Sequence, residues 1–355
     1  TPKDGLPAYV WAIKRDRAGG LWVGTEKGLA RGDTAGWSVV PGSEGHKVRG
    51  LVEAADGSII YGGEPYGLQR VTPKAGKPET LPALPGRDGR RIMALLMDRS
   101  ERLWVGTQSA GLLQGRQVDG RWAFEPVLLP GAPETGERIS HLTQDRRGHV
   151  WAASSAGLLR WDGQAWLRLG TADGLASVQL LYAAEGRGDD LWLVYRDKPG
   201  VVSRLQLSGD RPLVTQTLGP PLLPAVDIAL VGEDAPGRLW IGGNAGMDVV
   251  LQVRAERPSL LHFGVEDGLV DEEFNAMAIL AEPDGRMWAG TRGGLAEFDP
   301  TRFRGEPAPP QVAVLEASLG ERLLGNDSAP REAGFRENTF EIKFAALSYL
   351  DVSGL

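Results

Sequence analysis

The chain has 355 residues, a net charge of −7 and no cysteine. The acidic balance argues against a nucleic-acid footprint. The lack of thiols excludes disulfides, thiolate zinc sites and a cysteine nucleophile, and fits an oxidising compartment such as the periplasm. Glycine, at 49 residues, is about twice its usual share of roughly 7% and stands beside 24 prolines, a composition suited to an all-β chain with many tight turns.

In chain order, Val10-Trp11-Ala12-Ile13 is an apolar run that ends in the polar turn Asp16 to Gly20. Leu21-Trp22-Val23-Gly24-Thr25 follows, then a turn at Glu26-Lys27-Gly28, then Leu29-Ala30-Arg31 and Trp37 to Val40. This reads as a four-stranded meander with short connections. The same sentence returns around Trp104, Trp151, Trp192, Trp240 and Trp288, and in weaker form at Ile60-Tyr61-Gly62-Gly63. The aromatic anchors are placed at 22, 61, 104, 151, 192, 240 and 288, a period of about 44 residues. Strand-like repeats of that length predict a seven-bladed β-propeller of four-stranded blades.

The recurring Asp-x-x-Gly turns, Asp145 with Gly148 and Asp234 with Gly237 among them, are expected to be structural, because aspartate and glycine satisfy tight-turn geometry. The repeat tryptophans are expected to pack between blades. Trp37, Trp122, Trp161 and Trp166 fall in outer segments and are expected to be partly exposed. Blade seven offers only Arg302-Phe303 as an outer strand. The missing strand is expected just before Thr1, leaving ring closure weak at that seam.

The propeller is read as residues 1–303, followed by a stiff linker at 304–310, Arg304-Gly305-Glu306-Pro307-Ala308-Pro309-Pro310. Residues 311–355 read as the first strands of an Ig-like β-sandwich. Phe340, Ile342 and Phe344 alternate there with Glu341 and Lys343, as on a half-buried strand.

The four histidines, His46, His141, His149 and His262, show no ligand spacing, so no metal site is expected. Neither a phosphate loop nor a nucleophile elbow is present, and no catalytic residue or cofactor is assigned. Propellers bind ligands where loops of successive blades converge on the channel mouth. The candidate ligand-binding residues on that face are Tyr66, Arg91, Gln108, Arg196, Asn244, Glu273, Asn275 and Arg292. Their mixture of arginine, amide, carboxylate and tyrosine suits a small polar ligand, a saccharide or an organic anion.

The Leu-Trp-Val-Gly-Thr…Gly-Leu repeat, its Asp-x-x-Gly turn and the Asp-Gly-Leu triplets at 4–6, 173–175 and 267–269 resemble the two-component regulator propeller. The tail from Glu337-Asn338-Thr339-Phe340 to Tyr349 resembles the start of a Y_Y_Y domain. Departures from the pattern are Tyr61 in blade two and Val194 with the insert Arg196 to Pro199 in blade five. The resemblance implies a periplasmic sensor region of an inner-membrane histidine kinase or diguanylate cyclase. The membrane segments and output lie outside this chain, and a homodimer through the C-terminal β domain is possible. No nucleic-acid partner is implied. The alternative is a propeller lyase or hydrolase acting on a glycan or lactone, since fold does not fix function.

Overall fold

The computed structural model describes residues 5–33, 36–64, 67–72, 76–85, 91–133, 136–208, 211–224, 226–299, 311–319, 322–323 and 339–347. The chain divides into two compact units, 1–300 and 301–355. The first is a seven-bladed propeller. Six blades are four-stranded antiparallel meanders, and the seventh contains three strands among the described residues. Blade one is typical, with Val10–Arg15, Leu21–Thr25, Gly28–Asp33 and Gly36–Val39 paired in sequence order. The residues proposed as linker, and Arg302-Phe303, lie outside the described residues. In the second unit Gln311–Leu319 pairs with Arg322–Leu323 and with Phe340–Leu347 as a small antiparallel sheet.

Among the described residues, buried side chains cluster at the interfaces between adjacent blades, such as Trp22, Leu29, Val48 and Ile59 between blades one and two. The second strand of each blade is buried along its whole length or nearly so, as in Leu21–Thr25 and Leu103–Thr107. Both faces of each sheet are covered, which is why these strands read as continuous apolar runs.

The repeat glycine has a steric cause. A Cβ on Gly24 would come within 2.7 Å of Val48 Cγ1 and of the Val48 carbonyl oxygen in the next blade. Gly62 faces Ile92, Gly106 faces Ile139 and Gly242 faces Phe274 in the same way. In these blades the apolar residue that opens the next inner strand thus enters a notch in the blade before it. At the ring closure Gly290 of blade seven receives Val10 of blade one, with Cγ1 at 2.6 Å from the position of such a Cβ.

The repeat tryptophan is tied to the inner turn. Nε1 of Trp22, Trp104, Trp151 and Trp240 donates to Oδ2 of Asp16, Asp98, Asp145 and Asp234, at 2.7 to 2.8 Å. The same carboxylates accept backbone N–H groups of their own turns, from Gly20, Arg102, His149 and Arg238. In blade seven Glu282 takes the aspartate's place, at 3.2 Å from Trp288 Nε1. Blade five has Gly186 at that position, and the carboxylate comes from the neighbouring blade: Trp192 donates to Glu233 at 2.9 Å.

Blade two corrects the sequence reading. The turn bond Ala54 N–H to Ser58 O matches Asp16 N–H to Gly20 O, which aligns Ala54 with Asp16 and Ile60 with Trp22. Tyr61 then stands where Val23 stands, one residue beyond the tryptophan position, as the pairings Val23↔Ala30 and Tyr61↔Gln69 confirm. Indole and carboxylate are replaced together by an apolar pair, so neither is left buried without its partner. Of the outer tryptophans, Trp37, Trp161 and Trp166 are half-buried, whereas Trp122 is buried and stacks on Phe124 with centroids 6.1 Å apart.

The seam between blades seven and one is bridged by side chains. Arg15 Nε donates to Glu282 Oε1 at 2.6 Å on the inner-turn side. Asn275 Nδ2 donates to Val10 O at 2.8 Å and to Thr291 O at 3.0 Å. Tyr9 N–H donates to Arg292 O at 2.9 Å on the opposite side. Leu6, fully buried, packs with Val10, Val23, Ala30 and Ala278. No strand shared between the chain's two ends takes part among the described residues.

Two consequences are measurable. Asp145→Ala leaves Trp151 Nε1 and two turn amides without an acceptor, and should lower the unfolding free energy in urea by about 2–3 kcal/mol. Leu6→Ala opens a cavity in the seam and should cost about 2–5 kcal/mol. Its effect should concentrate in faster amide exchange at Tyr9 and Val10, with blades three to five unchanged.

Candidate functional site

Each inner strand carries a β-bulge near its start. The register slips at Trp11, Arg49, Met93, Ser140, Leu181 and Ala229, and in blade seven residues 275–278 stand against Gly290 alone. Met277 in that segment has φ 69°, a conformation a non-glycine side chain adopts only under constraint. Bulges re-aim side chains at sheet edges. Here they recur at one level of the disc, at the end where the turns between second and third strands lie.

Just above the bulges, a backbone bond in several blades joins the residue after the second strand to the start of the inner strand. Glu26 N–H donates to Tyr9 O, Gln108 to Arg91, Ser155 to Arg138, Arg196 to Gln179 and Arg292 to Glu273, all at 2.8 to 3.0 Å. Lys47↔Glu64 is the matching pair in blade two. Two side chains per blade are thereby set next to each other around the mouth. The residue from the turn also reaches the following blade. Glu26 pairs with Lys47, Glu64 approaches Arg91 at 3.8 Å, and Arg292 meets Tyr9.

Of the residues selected from sequence, Arg91, Gln108, Arg196, Glu273 and Arg292 fall on this ring. Asn244 is exposed on its turn one residue beyond the paired Gly243. Asn275 lies deeper, buried, and its amide is spent on the seam. It belongs to the scaffold, which corrects its place among ligand candidates. Tyr66 lies outside the described residues.

The structure adds residues that spacing alone did not single out. The Trp11 indole has Lys47 Nζ 4.8 Å and Arg49 Cζ 4.5 Å from its ring centroid, and Nε1 donates to Glu26 Oε2 at 2.9 Å. Arg49 pairs with Glu64 at 3.2 Å. Tyr9, at φ 60°, holds its ring 5.5 Å from Arg292 Cζ. Arg292 is also paired with Glu273, which with Tyr9 raises its pKa above the usual arginine value. The signal for these residues was their place one or two positions from the first apolar residue of each inner strand. It becomes legible only once the bulge is known.

His141 packs against Tyr182 of the next blade with ring centroids 4.0 Å apart and the rings tilted by 45°, and its buried Nδ1 has no hydrogen-bond partner. Burial pushes its pKa down from 6.5 to about 3, against a smaller opposing effect of the Ala183 backbone. The native imidazole is therefore neutral at pH 7.

A family model for the two component regulator propeller matches residues 4–27. The matched segment runs from the first Asp-Gly-Leu triplet through the first Leu-Trp-Val-Gly-Thr strand. No curated protein matches the sequence. Among solved structures, the chain is similar to the extracellular domain of a putative hybrid two component system from B. thetaiotaomicron, at 13% identity and a TM-score of 0.65. That match covers 91% of this chain and 44% of the other, so the chain spans less than half the length of this relative. It is similar also to virginiamycin B lyase from Staphylococcus aureus, at 16% identity and TM-score 0.63, covering 82% of this chain and 94% of the lyase. A third likeness is to the Myceliophteria thermophila Cps50 (Swd1) β-propeller domain, at 13% identity and TM-score 0.63, covering 82% and 97%. At these identities the likeness is one of fold. Among the described residues, no helix is long and apolar enough to cross a membrane.

Two outcomes follow. Asn275→Ala should cost about 1–3 kcal/mol by leaving the Val10 and Thr291 carbonyls without their buried donor, read as a lower urea midpoint. Because the folded pKa of His141 lies below the unfolded value, the unfolded chain binds the extra proton between pH 6.5 and 3. Stability tied to His141 is thus complete above pH 6.5 and is lost as pH falls. His141→Phe should remove up to about 2 kcal/mol of the decline between pH 6.5 and 5.

Proposed function

We propose that this propeller is the ligand-sensing region of a membrane-bound signalling protein, working outside the cytoplasm, in the periplasm, with a histidine kinase or a diguanylate cyclase as output. The ligand is a small polar molecule or a saccharide held at the channel mouth. The observation that carries this reading is the mouth itself. Backbone bonds repeated from blade to blade hold a ring of arginines, amides, carboxylates and two aromatics, Tyr9 and Trp11, in fixed positions. Such sites bind with little reorganisation. The match of the regulator-propeller model to residues 4–27 and the fold likeness to an extracellular domain of a two component system support the same reading.

The mechanism is one of geometry. A ligand bridging residues of several blades tightens the ring, and the change is passed through the C-terminal β unit, in a homodimer, to the membrane segments. The Y_Y_Y resemblance of that unit is part of this proposal. A lyase or hydrolase is the competing reading, and its support is the fold likeness to virginiamycin B lyase.

The test is a thermal-shift screen of sugars, oligosaccharides and organic anions. A cognate ligand at about 100 times its Kd should stabilise the chain by roughly 2.7 kcal/mol, and Trp11→Ala should abolish the shift. Turnover of the ligand would favour the enzyme reading. An inert mouth, with no ligand shifting the wild type and binding confined to large protein partners, would overturn the sensor reading.

A further inference from the structure

Charge is not spread evenly around the mouth. Lys47 pairs with Glu26, Arg49 with Glu64 and Arg292 with Glu273. Among the described residues, neither Arg138 nor Arg196, from blades four and five, is ion-paired with a carboxylate. Arg138 is held by neutral groups: its backbone N–H donates to Ser155 Oγ at 3.2 Å, and its guanidinium faces the Gln108 amide, which with its oxygen turned toward Arg138 accepts from Nε at 3.1 Å and Nη2 at 2.6 Å. Arg196 is fixed at its backbone by Gln179 O at 2.8 Å, and its side chain is exposed. The adjacent acid, Asp197, is turned to Ser177 Oγ at 2.9 Å. The two arginines stand on adjacent blades of the same ring. Partial burial, with a smaller contribution from the Arg138 charge, lowers the Arg196 pKa from its usual value.

On the inner strand that follows Arg138, the buried Ser140 Oγ has no hydrogen-bond partner, and neither has the buried His141 Nδ1. Ser140 is the bulged residue of blade four. Like charges brought together cost free energy unless a counter-charge joins them. An arginine pair backed by neutral groups is an arrangement that recognises planar or tetrahedral oxyanions, because the guanidinium fork matches their oxygens.

We infer that the sector of the mouth formed by Arg138 and Arg196, with Gln108 orienting Arg138, binds the oxyanion group of the ligand, a carboxylate or a sulfate. This rests on the sensor reading for its biological use and gives the ligand its chemical class: a sugar acid, a sulfated sugar or a small free anion. The protein as a whole is negatively charged, so the attraction is local, and it weakens with salt.

Isothermal titration at constant ionic strength tests the assignment with three probes: sodium glucuronate, glucose and sodium sulfate. Glucuronate should bind the wild type at least tenfold more tightly than glucose. Arg138→Gln and Arg196→Gln should each weaken glucuronate about tenfold, with glucose unchanged. Arg116→Gln, on an outer strand, should change nothing. Sulfate that competes with glucuronate points to the anionic group alone, whereas glucuronate far tighter than sulfate points to an anion carried on a sugar, and both support the assignment. Circular dichroism checks that the variants fold, and competition by sulfate on the wild type reads the site without any variant. Glucuronate and sulfate binding unchanged in the double variant would overturn the inference. Neutral oligosaccharides that bind the mouth while glucuronate does not would overturn it and leave the sensor reading standing. Arginine-dependent glucuronate binding, with turnover of a glucuronide and no signalling response in the longer protein, would sink the sensor reading alone.

Discussion

The structure depends on the bond between a buried indole N–H and a buried carboxylate at the inner turn of the blade. A tryptophan buries more apolar area than any other residue but brings a donor with it, and an unsatisfied donor in an interface core costs on the order of 1–3 kcal/mol. The aspartate that satisfies it also holds the amides of the turn, so one carboxylate fixes the turn and the wedge together. The exceptions obey the same rule. Blade five borrows Glu233 from its neighbour, and blade two replaces donor and acceptor by Ile60 and Ala54.

This coupling explains what was legible in the sequence. Aromatic, glycine and turn aspartate recur because three physical demands recur: filling the wedge, admitting the next blade's apolar residue and closing the turn. Number and order of blades follow from them. The register of blade two was not legible. With both faces of the strand buried, the alternation that fixes phase disappears, and Tyr61 beside Ile60 draws the eye one residue too far. The borrowed carboxylate of blade five was equally hidden, because a contact across blades leaves no fixed spacing in the chain.

The mouth was partly legible. Residues next to the repeat glycine-threonine end, such as Gln108, Arg196 and Arg292, could be placed on the loop face by counting. Trp11, Arg49 and Arg138 could not, because they lie at or just before the start of inner strands, where a bulge adds a residue and turns side chains toward the opening. Asn275 looked like one of the loop polar residues, and its amide is instead used to join the ring. Charge pairing was beyond reach altogether: no pattern in sequence says which arginine finds a glutamate and which finds an amide.

The closure of the ring carries a mechanical consequence. The notch that receives Val10 in blade seven has the same form as those that join blades already linked by the chain. Held by packing, the Asn275 amide, the Arg15–Glu282 pair and the bonds between Tyr9 and Arg292, the junction is a latch that can be undone without breaking any sheet. Opening it widens the disc in its own plane and leaves every leaf whole. That places a soft direction of this architecture at the junction of blades seven and one, where contacts alone join the two blades among the described residues.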